Sequence, residues 1–364
     1  MASDTNAGLN GVSDSSAAIA GVLGGTGVEV KGPEGPVGSG SAALAAAVWF
    51  AYLNEAATML EQDYATRDDI DAAMRFGCGY PVGPLRQLDA IGLDKAAAIL
   101  DVLYEASGDC RHKVSAAITD RVNAGNLGET SGSGFYTFAG AGSADVVAED
   151  AADSAAAGAT REIKLVGVIG TGTMATGIIE VFAKSGYDVV YVARSDEKVA
   201  KVRAALEKSL DRAVSKGKLS EEDKTAILAR VCGTTAHEDL GRVDIVVEAI
   251  VEDLETKKEL FRTLDRVCKP GAILATTTSS LSIDVLAAET GRPADVIGMH
   301  FFNPAPVMKL VEVVSGSATA QDVTDTTVAL CRAVKKHPVL CGDRAGFIVN
   351  FLLFPYLNDA VIAV

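Results

Sequence analysis

Residues 163 to 186 leave the chain few folds to choose from. LVGVIG runs straight into Gly170-Thr171-Gly172-Thr173-Met174-Ala175-Thr176-Gly177 and on into IIEVFAKSG. An apolar run of strand length, a glycine-rich turn and a helical apolar rhythm in direct succession dictate strand, tight turn, helix. In that setting Gly170 makes the turn and Gly172 lets the backbone approach a pyrophosphate. Ala175 keeps the helix close to the strand, and the helix N-terminus offers its N–H groups and dipole to phosphate. A second strand, DVVYVA, follows Gly186. Strand-like runs recur at DIVVEAI, AILATTT, DVIGMHF and LVEVV, with helical stretches between most of them. Such alternation predicts a mainly parallel, doubly wound α/β sheet.

This places a dinucleotide-binding domain of the Rossmann type at residues 163 to 345. Gly170, Thr171, Gly172, Thr173, Met174 and Gly177 are its expected cofactor contacts, with Ala249 behind DIVVE. The end of the second strand selects the dinucleotide. An NAD site places Asp or Glu there for the ribose 2′-OH, whereas this chain has Ala193-Arg194-Ser195. Without the carboxylate a 2′-phosphate is not repelled, and Arg194 with the Ser195 hydroxyl can bond it. The expected cofactor is therefore NADP or NAD, with NADP favoured. The alternative has Arg194 stacked on adenine while Asp196 or Glu197 does the carboxylate's work.

The stretch GMHFFNPAPVMKLVEVV carries the candidate chemistry. It holds His300, one of four histidines, and Glu312 twelve residues later in an apolar strand-like run. A carboxylate there is expensive to bury unless paired. A histidine returned beside it by the Pro304 to Pro306 turn would be a natural partner, tuned as a base near neutral pH with its tautomer fixed. Spacing alone favours a core histidine and a strand glutamate that never meet. The dinucleotide turn upstream shifts the reading toward the pair.

The rest of the chain is simpler. Residues 1 to 40 are Gly-, Ser- and Ala-rich, with a short helix expected at 14 to 23 and a short strand at 28 to 30. From 41 to 138 the pattern is helical: a long apolar helix to about Glu61, then a second helix started by Thr66-Arg67-Asp68-Asp69. A loop is expected at GCGYPVGP, and further helices around 94 to 107 and 113 to 124. Residues 139 to 162 are small, acidic and aperiodic, which predicts a linker. A net charge of −15 argues against a nucleic-acid or anionic-membrane partner. Six cysteines without CxxC or metal-ligand spacing suit a reducing compartment, and no metal site is expected. The start, MASDTNAGLNG, has no signal-peptide pattern, and the longest apolar run, 42 to 53, is too short for a bilayer. A cytoplasmic protein is expected.

FAYLNEA at 50 to 56 recurs as FPYLNDA at 354 to 360, an offset of 304. GDRAGFIVN precedes the second copy. Residues 346 to 364 therefore read as the first helix of a second helical domain, expected to pack against residues 41 to 138.

VGVIGTGTMATGIIEVFAKSGYDV, VVEAIVEDLETKKELF, ATTTSSLSI, GMHFFNPAPVMKLVEVV and DRAGFIVNFLLFPYLNDA resemble, in that order and spacing, 3-hydroxyacyl-CoA dehydrogenase over residues 163 to 364. YATRDDIDAAMRFGCGYPVGPLRQLDAIGLD and GSGFYTF resemble that family's C-terminal all-helical domain, of the 6-phosphogluconate-dehydrogenase C-terminal type, over 41 to 138. The resemblance implies the middle of a tandem fusion, in which a degenerate tail at 1 to 40 and one unit's helical domain precede the next unit's nucleotide domain. It also implies roles. His300 would be the general base and Glu312 its orienting partner. Ser279 and Asn350 would be hydrogen-bonding groups at the reacting oxygens, and Asn303, Glu252 and Lys257 would lie beside the cofactor. Ser279 and Asn350 can equally be helix caps. In the first helical copy Ala46 stands where the second has Asn350, and Glu129 and Thr130 replace two basic residues usual in the family. One active site at most is implied.

The expected activity is NAD(P)-dependent interconversion of (S)-3-hydroxyacyl-CoA, such as 3-hydroxybutyryl-CoA, and 3-oxoacyl-CoA in fatty acid metabolism and β-oxidation. The expected partners are an acyl-CoA substrate and a homodimer or pseudo-dimer through the helical domains. A catalytically weak nucleotide-binding or structural relative with an incomplete substrate lid is the alternative. A β-hydroxyacid dehydrogenase using a catalytic lysine does not fit His300 at the base position.

Overall fold

A computed structural model describes residues 31–32, 35–36, 39–147 and 159–363. The helix expected at 14 to 23 and the strand expected at 28 to 30 lie outside the described residues. The chain divides into two compact units, residues 1–154 with 348–364, and residues 155–347.

The first unit is helical. Its centre is α1, Ser39–Glu61, where Ala46, Phe50 and Leu53 are fully buried. Around it stand α2 (Arg67–Cys78), α3 (Pro84–Ile91), α4 (Leu93–Ser107) and α5 (Ala116–Asn123). Thr66 caps α2 as expected, its Oγ1 accepting from Asp69 N at 3.1 Å. The loop expected at GCGYPVGP is shorter than read, because Pro84 opens a helix at the position where a missing N–H matters least. Asp71 fixes that start by accepting from Leu85 N at 2.8 Å and Arg86 N at 2.9 Å. Gly83 is required there, since a Cβ would lie 2.2 Å from the Asp71 side chain.

The repeat now has a structural meaning. The second copy lies in α12, Val349–Ile362, which packs on α1 within this unit. Tyr52 and Tyr356, the same position of the two copies, meet with ring centroids 5.6 Å apart. Arg111 pairs with the buried Asp359 at 2.5 Å. Phe354 and Leu357 remain exposed, unlike their counterparts Phe50 and Leu53. By length and composition α1 could cross a membrane, longer than its apolar run suggested. Two-thirds of its apolar window is buried within the chain, as in a core helix.

The second unit is an eight-stranded sheet flanked by helices, among them α8 (Glu221–Ala229), α10 (Ile283–Ala287) and α11 (Gln321–Ala333). Its strands are β1 (Leu165–Ile169), β2 (Asp188–Val192), β3 (Val231–Thr234), β4 (Ile245–Glu248), β5 (Ile273–Thr276), β6 (Val296–Phe301), β7 (Leu310–Ser315) and β8 (His337–Gly342). Their order is β8-β7-β6-β5-β4-β1-β2-β3, parallel throughout except for the β6–β7 pair. The order reverses beside β1, so α6 (Thr173–Lys184) begins at the topological switch point where such sheets hold ligands. Strands β3 and β8 were not foreseen. Both are edge strands; β3 has four residues with Gly233 inside, and β8 contains Pro338, which only an edge tolerates well. The core is formed by Val166, Val168, Ile178, Phe182, Val247 and Ile297, all fully buried.

The stretch read as a linker is partly fixed. Ala139 N–H donates to Asp145 O at 2.9 Å. At the far end Arg161 pairs with Asp295 at 2.7 Å and Asp322 at 2.8 Å.

Candidate active site

The turn after β1 has the shape its sequence demands. Gly170 adopts φ +134°, and a Cβ there would lie 2.3 Å from Ala249 O. At Gly172 a Cβ would meet nothing within 4 Å, so that backbone faces open space. Among the described residues no side chain caps the start of α6, which suits its first N–H groups to an external acceptor. A cavity of about 910 Å³ opens in front, lined by Gly170, Thr171, Gly172, Thr173, Met174, Arg194 and Ala249 among others. An open glycine backbone, an uncapped helix N-terminus and a cleft of this size fit a dinucleotide.

The other expected cofactor residues are not among those lining this cavity. Gly177 lies against the Pro-rich turn, where a Cβ would be 3.1 Å from both Ala305 and Pro306; its smallness serves helix packing. Ser195 is the N-cap of α7 (Asp196–Ser215), its Oγ accepting from Lys198 N at 3.3 Å. Lys257, in α9 (Leu254–Val267), is buried with its ammonium 2.5 Å from Glu248 Oε1 and 3.4 Å from Glu252 Oε2. Glu248 also accepts from Thr276 Oγ1 at 2.6 Å and Ile250 N at 2.7 Å. Lys257 is thus a buried strut between β4 and the segment after it.

Glu252 is bound across to the segment after β5. It accepts from Thr278 Oγ1 at 2.5 Å and from Ser279 N at 3.0 Å. Partial burial pushes its carboxyl up, but these bonds and the Lys257 ammonium outweigh that and hold it below the usual carboxylate range. Ser279 is thereby tied to the segment that follows β4. Gly346 N–H donates to Ser279 O at 3.2 Å, which ties residues 343 to 347 to the same edge.

His300 and Glu312 do meet. They face each other across the β6–β7 ladder, and His300 Nδ1 lies 2.6 Å from Glu312 Oε2. Glu312 is fully buried. With Nδ1–H donated to the carboxylate, Nε2 is the ring nitrogen left for a substrate proton. Phe302 and Phe347 pack on the imidazole at centroid distances of 4.7 and 5.5 Å. Phe347 is buried at φ +48°, a costly conformation for an aromatic residue. Asn303 is exposed just beyond β6. Asn350 belongs to the helical unit, in the first turn of α12.

The cavity has lining residues that the sequence reading missed: Thr235 and His237 after β3, and Ile250 and Val251 after β4. VCGTTAH carries too weak a strand signal to mark Thr235 and His237 as residues leaving a strand end.

The family model for the 3-hydroxyacyl-CoA dehydrogenase NAD-binding domain matches residues 165–344, and that for the family's C-terminal domain matches residues 44–138. A 3-hydroxybutyryl-CoA dehydrogenase of Clostridioides difficile is 48% identical over 194 residues, covering 53% of this chain and 69% of that protein. One from Mycobacterium tuberculosis is 43% identical over 201 residues, covering 55% and 70%. The crystal structure of (S)-3-hydroxybutyryl-CoA dehydrogenase from Ralstonia eutropha is similar with a TM-score of 0.54 at 42% identity, covering 55% of this chain and 70% of that one. The paired histidine and glutamate, the open glycine turn and these matches lead to one assignment: the chain belongs to the 3-hydroxyacyl-CoA dehydrogenase family.

Proposed function

We propose that this NAD(P)-dependent oxidoreductase interconverts (S)-3-hydroxyacyl-CoA and 3-oxoacyl-CoA, with 3-hydroxybutyryl-CoA as representative substrate and NADP(H) preferred. The observation that carries the chemistry is the buried His300–Glu312 pair at 2.6 Å. In oxidation His300 Nε2 takes the proton of the 3-hydroxyl, and in reduction it returns it. Glu312 holds the tautomer and stabilises the imidazolium formed on proton uptake. When bound, the nicotinamide takes up or supplies the hydride. The Ser279 hydroxyl, which makes no hydrogen bond among the described residues, is a donor for the substrate oxygen. Asn350 and Asn303 are assigned hydrogen-bonding roles toward substrate and cofactor on the resemblance alone. Glu252 shapes the cofactor edge, and Lys257 acts through it.

The NADP preference rests on Arg194, which is exposed and makes no ion pair among the described residues. Ser195 accepts a bond as a helix cap, yet its O–H remains able to donate to phosphate. The organisation is read as part of a tandem fusion, because the C-terminal-domain model matches ahead of the NAD-binding model. The α1–α12 contact is the corresponding pseudo-dimer interface. Six cysteines, none of them in a disulfide among the described residues, support a reducing, cytoplasmic setting.

The test is turnover of acetoacetyl-CoA followed by nicotinamide absorbance with NADPH and NADH separately, in wild type, His300→Ala and Arg194→Ala. Turnover abolished by His300→Ala supports the mechanism. Faster turnover with NADH in the wild type refutes the cofactor preference.

A further inference from the structure

One wall of the dinucleotide cavity is not explained by the glycine turn. Strands β2 and β3 run side by side in parallel with Val192 opposite Thr234, and Ala193 N–H donates to Thr234 O at 2.9 Å. The segments leaving the sheet here, Ala193-Arg194 and Thr235-Ala236-His237, therefore start from neighbouring points on one edge. Arg194, Thr235 and His237 all line the cavity. Thr235 is exposed, and His237 is half-buried at the start of the 3-10 turn His237–Arg242. Neither His237 nor Arg194 makes a side-chain hydrogen bond or ion pair among the described residues.

The nearby carboxylates do not occupy this wall. Asp196, Glu197, Glu238 and Asp239 are absent from the cavity lining, and Asp239 accepts a bond from Thr234 Oγ1 at 2.5 Å. In a fold of this kind the residue leaving the second strand borders the adenosine ribose. Its neighbour across the strand gap borders the same subsite from the other side. Two nitrogen-bearing side chains thus flank one subsite. A phosphate there gains charge-assisted bonds from guanidinium and imidazole that a bare 2′-hydroxyl does not.

We propose that His237 is a specificity-determining residue that completes, with Arg194, the seat of the 2′-phosphate of NADP(H). The proposal rests on the NADP reading above. An imidazole N–H donates to a phosphate oxygen in either protonation state, and Thr235 adds a hydroxyl beside it.

The test is calorimetric binding of two probes, adenosine 2′,5′-bisphosphate and adenosine 5′-monophosphate, to the full chain. The proteins are wild type, Arg194→Ala, His237→Ala and His237→Gln, each checked for an unchanged circular dichroism spectrum. The quantity read is the ratio of the two dissociation constants. Wild type is expected to favour the bisphosphate, with His237→Ala shrinking that ratio about tenfold, the equivalent of one charge-assisted bond. His237→Gln, which keeps an N–H donor, is expected to restore part of it. A preference lost in Arg194→Ala but intact in His237→Ala overturns the role of His237 and leaves the NADP reading standing. Equal weakening of both probes by His237→Ala also overturns it, since the residue would then serve the adenosine at large. No preference in the wild type overturns the NADP reading itself, and the proposal with it.

Discussion

His300 and Glu312 occupy directly opposed positions in the only antiparallel pair of an otherwise parallel sheet, with Nδ1 and Oε2 2.6 Å apart. The reversal between β6 and β7 makes this possible. In a parallel sheet a residue twelve positions downstream would belong to a crossover connection, whereas an antiparallel return brings it opposite. A carboxylate on a fully buried strand is thereby matched with a partner that is itself almost buried.

Turnover should therefore respond in a graded way to this pair. His300→Ala removes the proposed base and is expected to lower kcat by about 10²- to 10⁴-fold. Glu312→Gln keeps an oxygen acceptor for Nδ1–H but withdraws the charge that stabilises the imidazolium, so its loss should fall near the lower end of that range. Steady-state kinetics with saturating cofactor check both. Equal activity of Glu312→Gln and wild type would show that the carboxylate only positions the ring.

Much of this was legible in the sequence for a physical reason. The strand–glycine–helix succession from Leu165 to Lys184 is dictated locally, so reading it required no tertiary knowledge. The His300–Glu312 pair was half legible. Burying Glu312 demanded a partner and His300 was the natural one, but spacing alone favoured two residues that never meet. It is the ladder register that brings them together. Lys257 and Ser195 were harder. The resemblance put Lys257 beside the cofactor, and the hydroxyl of Ser195 suggested that residue for a phosphate. Nothing in the linear motif announced that Lys257 also pairs with a buried glutamate or that Ser195 also caps a helix. Strand β3 escaped detection because four residues including a glycine give almost no periodicity, and Thr235 and His237 went unnoticed with it.

Lys257→Ala should act on stability. The substitution leaves Glu248 fully buried without its cation, a situation that costs about 3–5 kcal/mol. Urea denaturation followed by fluorescence would register it as a lower midpoint for the nucleotide-binding unit. A large rise in KM for cofactor at unchanged stability would instead assign Lys257 a direct contact.

The helical unit carries a pH signature. Burial pushes the Asp71 and Asp89 carboxyls up to about 6, against the hydrogen bonds from Leu85, Arg86, Phe135 and Tyr136 that favour their ionised forms. Between the ordinary carboxyl range and pH 6 the folded state then binds more protons than the unfolded one. Each group therefore destabilises the fold above pH 6, and that penalty fades as pH falls toward 4, by on the order of 2–3 kcal/mol apiece. His112, whose pKa burial lowers, works in the opposite direction below its ordinary value. Asp71→Asn isolates one contribution. The stability of wild type relative to this variant should rise as pH is lowered from 7 to 4, and a difference constant with pH would contradict the assignment.

Arg111 bridges two carboxylates in the helical unit, Asp109 at 2.6 Å and Asp359 of α12 at 2.5 Å. The two ends of the bridge are unequal. Asp359 is buried, and its Oδ1 makes no hydrogen bond among the described residues, so Arg111 supplies nearly all of its compensation there. Asp109 is more exposed and also caps a short turn by accepting from Arg111 N at 2.9 Å. Arg111→Ala strands a buried charge and should cost about 3–5 kcal/mol. Asp359→Ala leaves the guanidinium its second partner and should cost less, about 1–2 kcal/mol. Thermal denaturation of both variants and of the double variant gives the coupling directly. If Arg111→Ala proved milder than Asp359→Ala, the arginine would be a surface residue in solution, and α12 would be held to α1 by its apolar face and the Tyr52–Tyr356 contact alone.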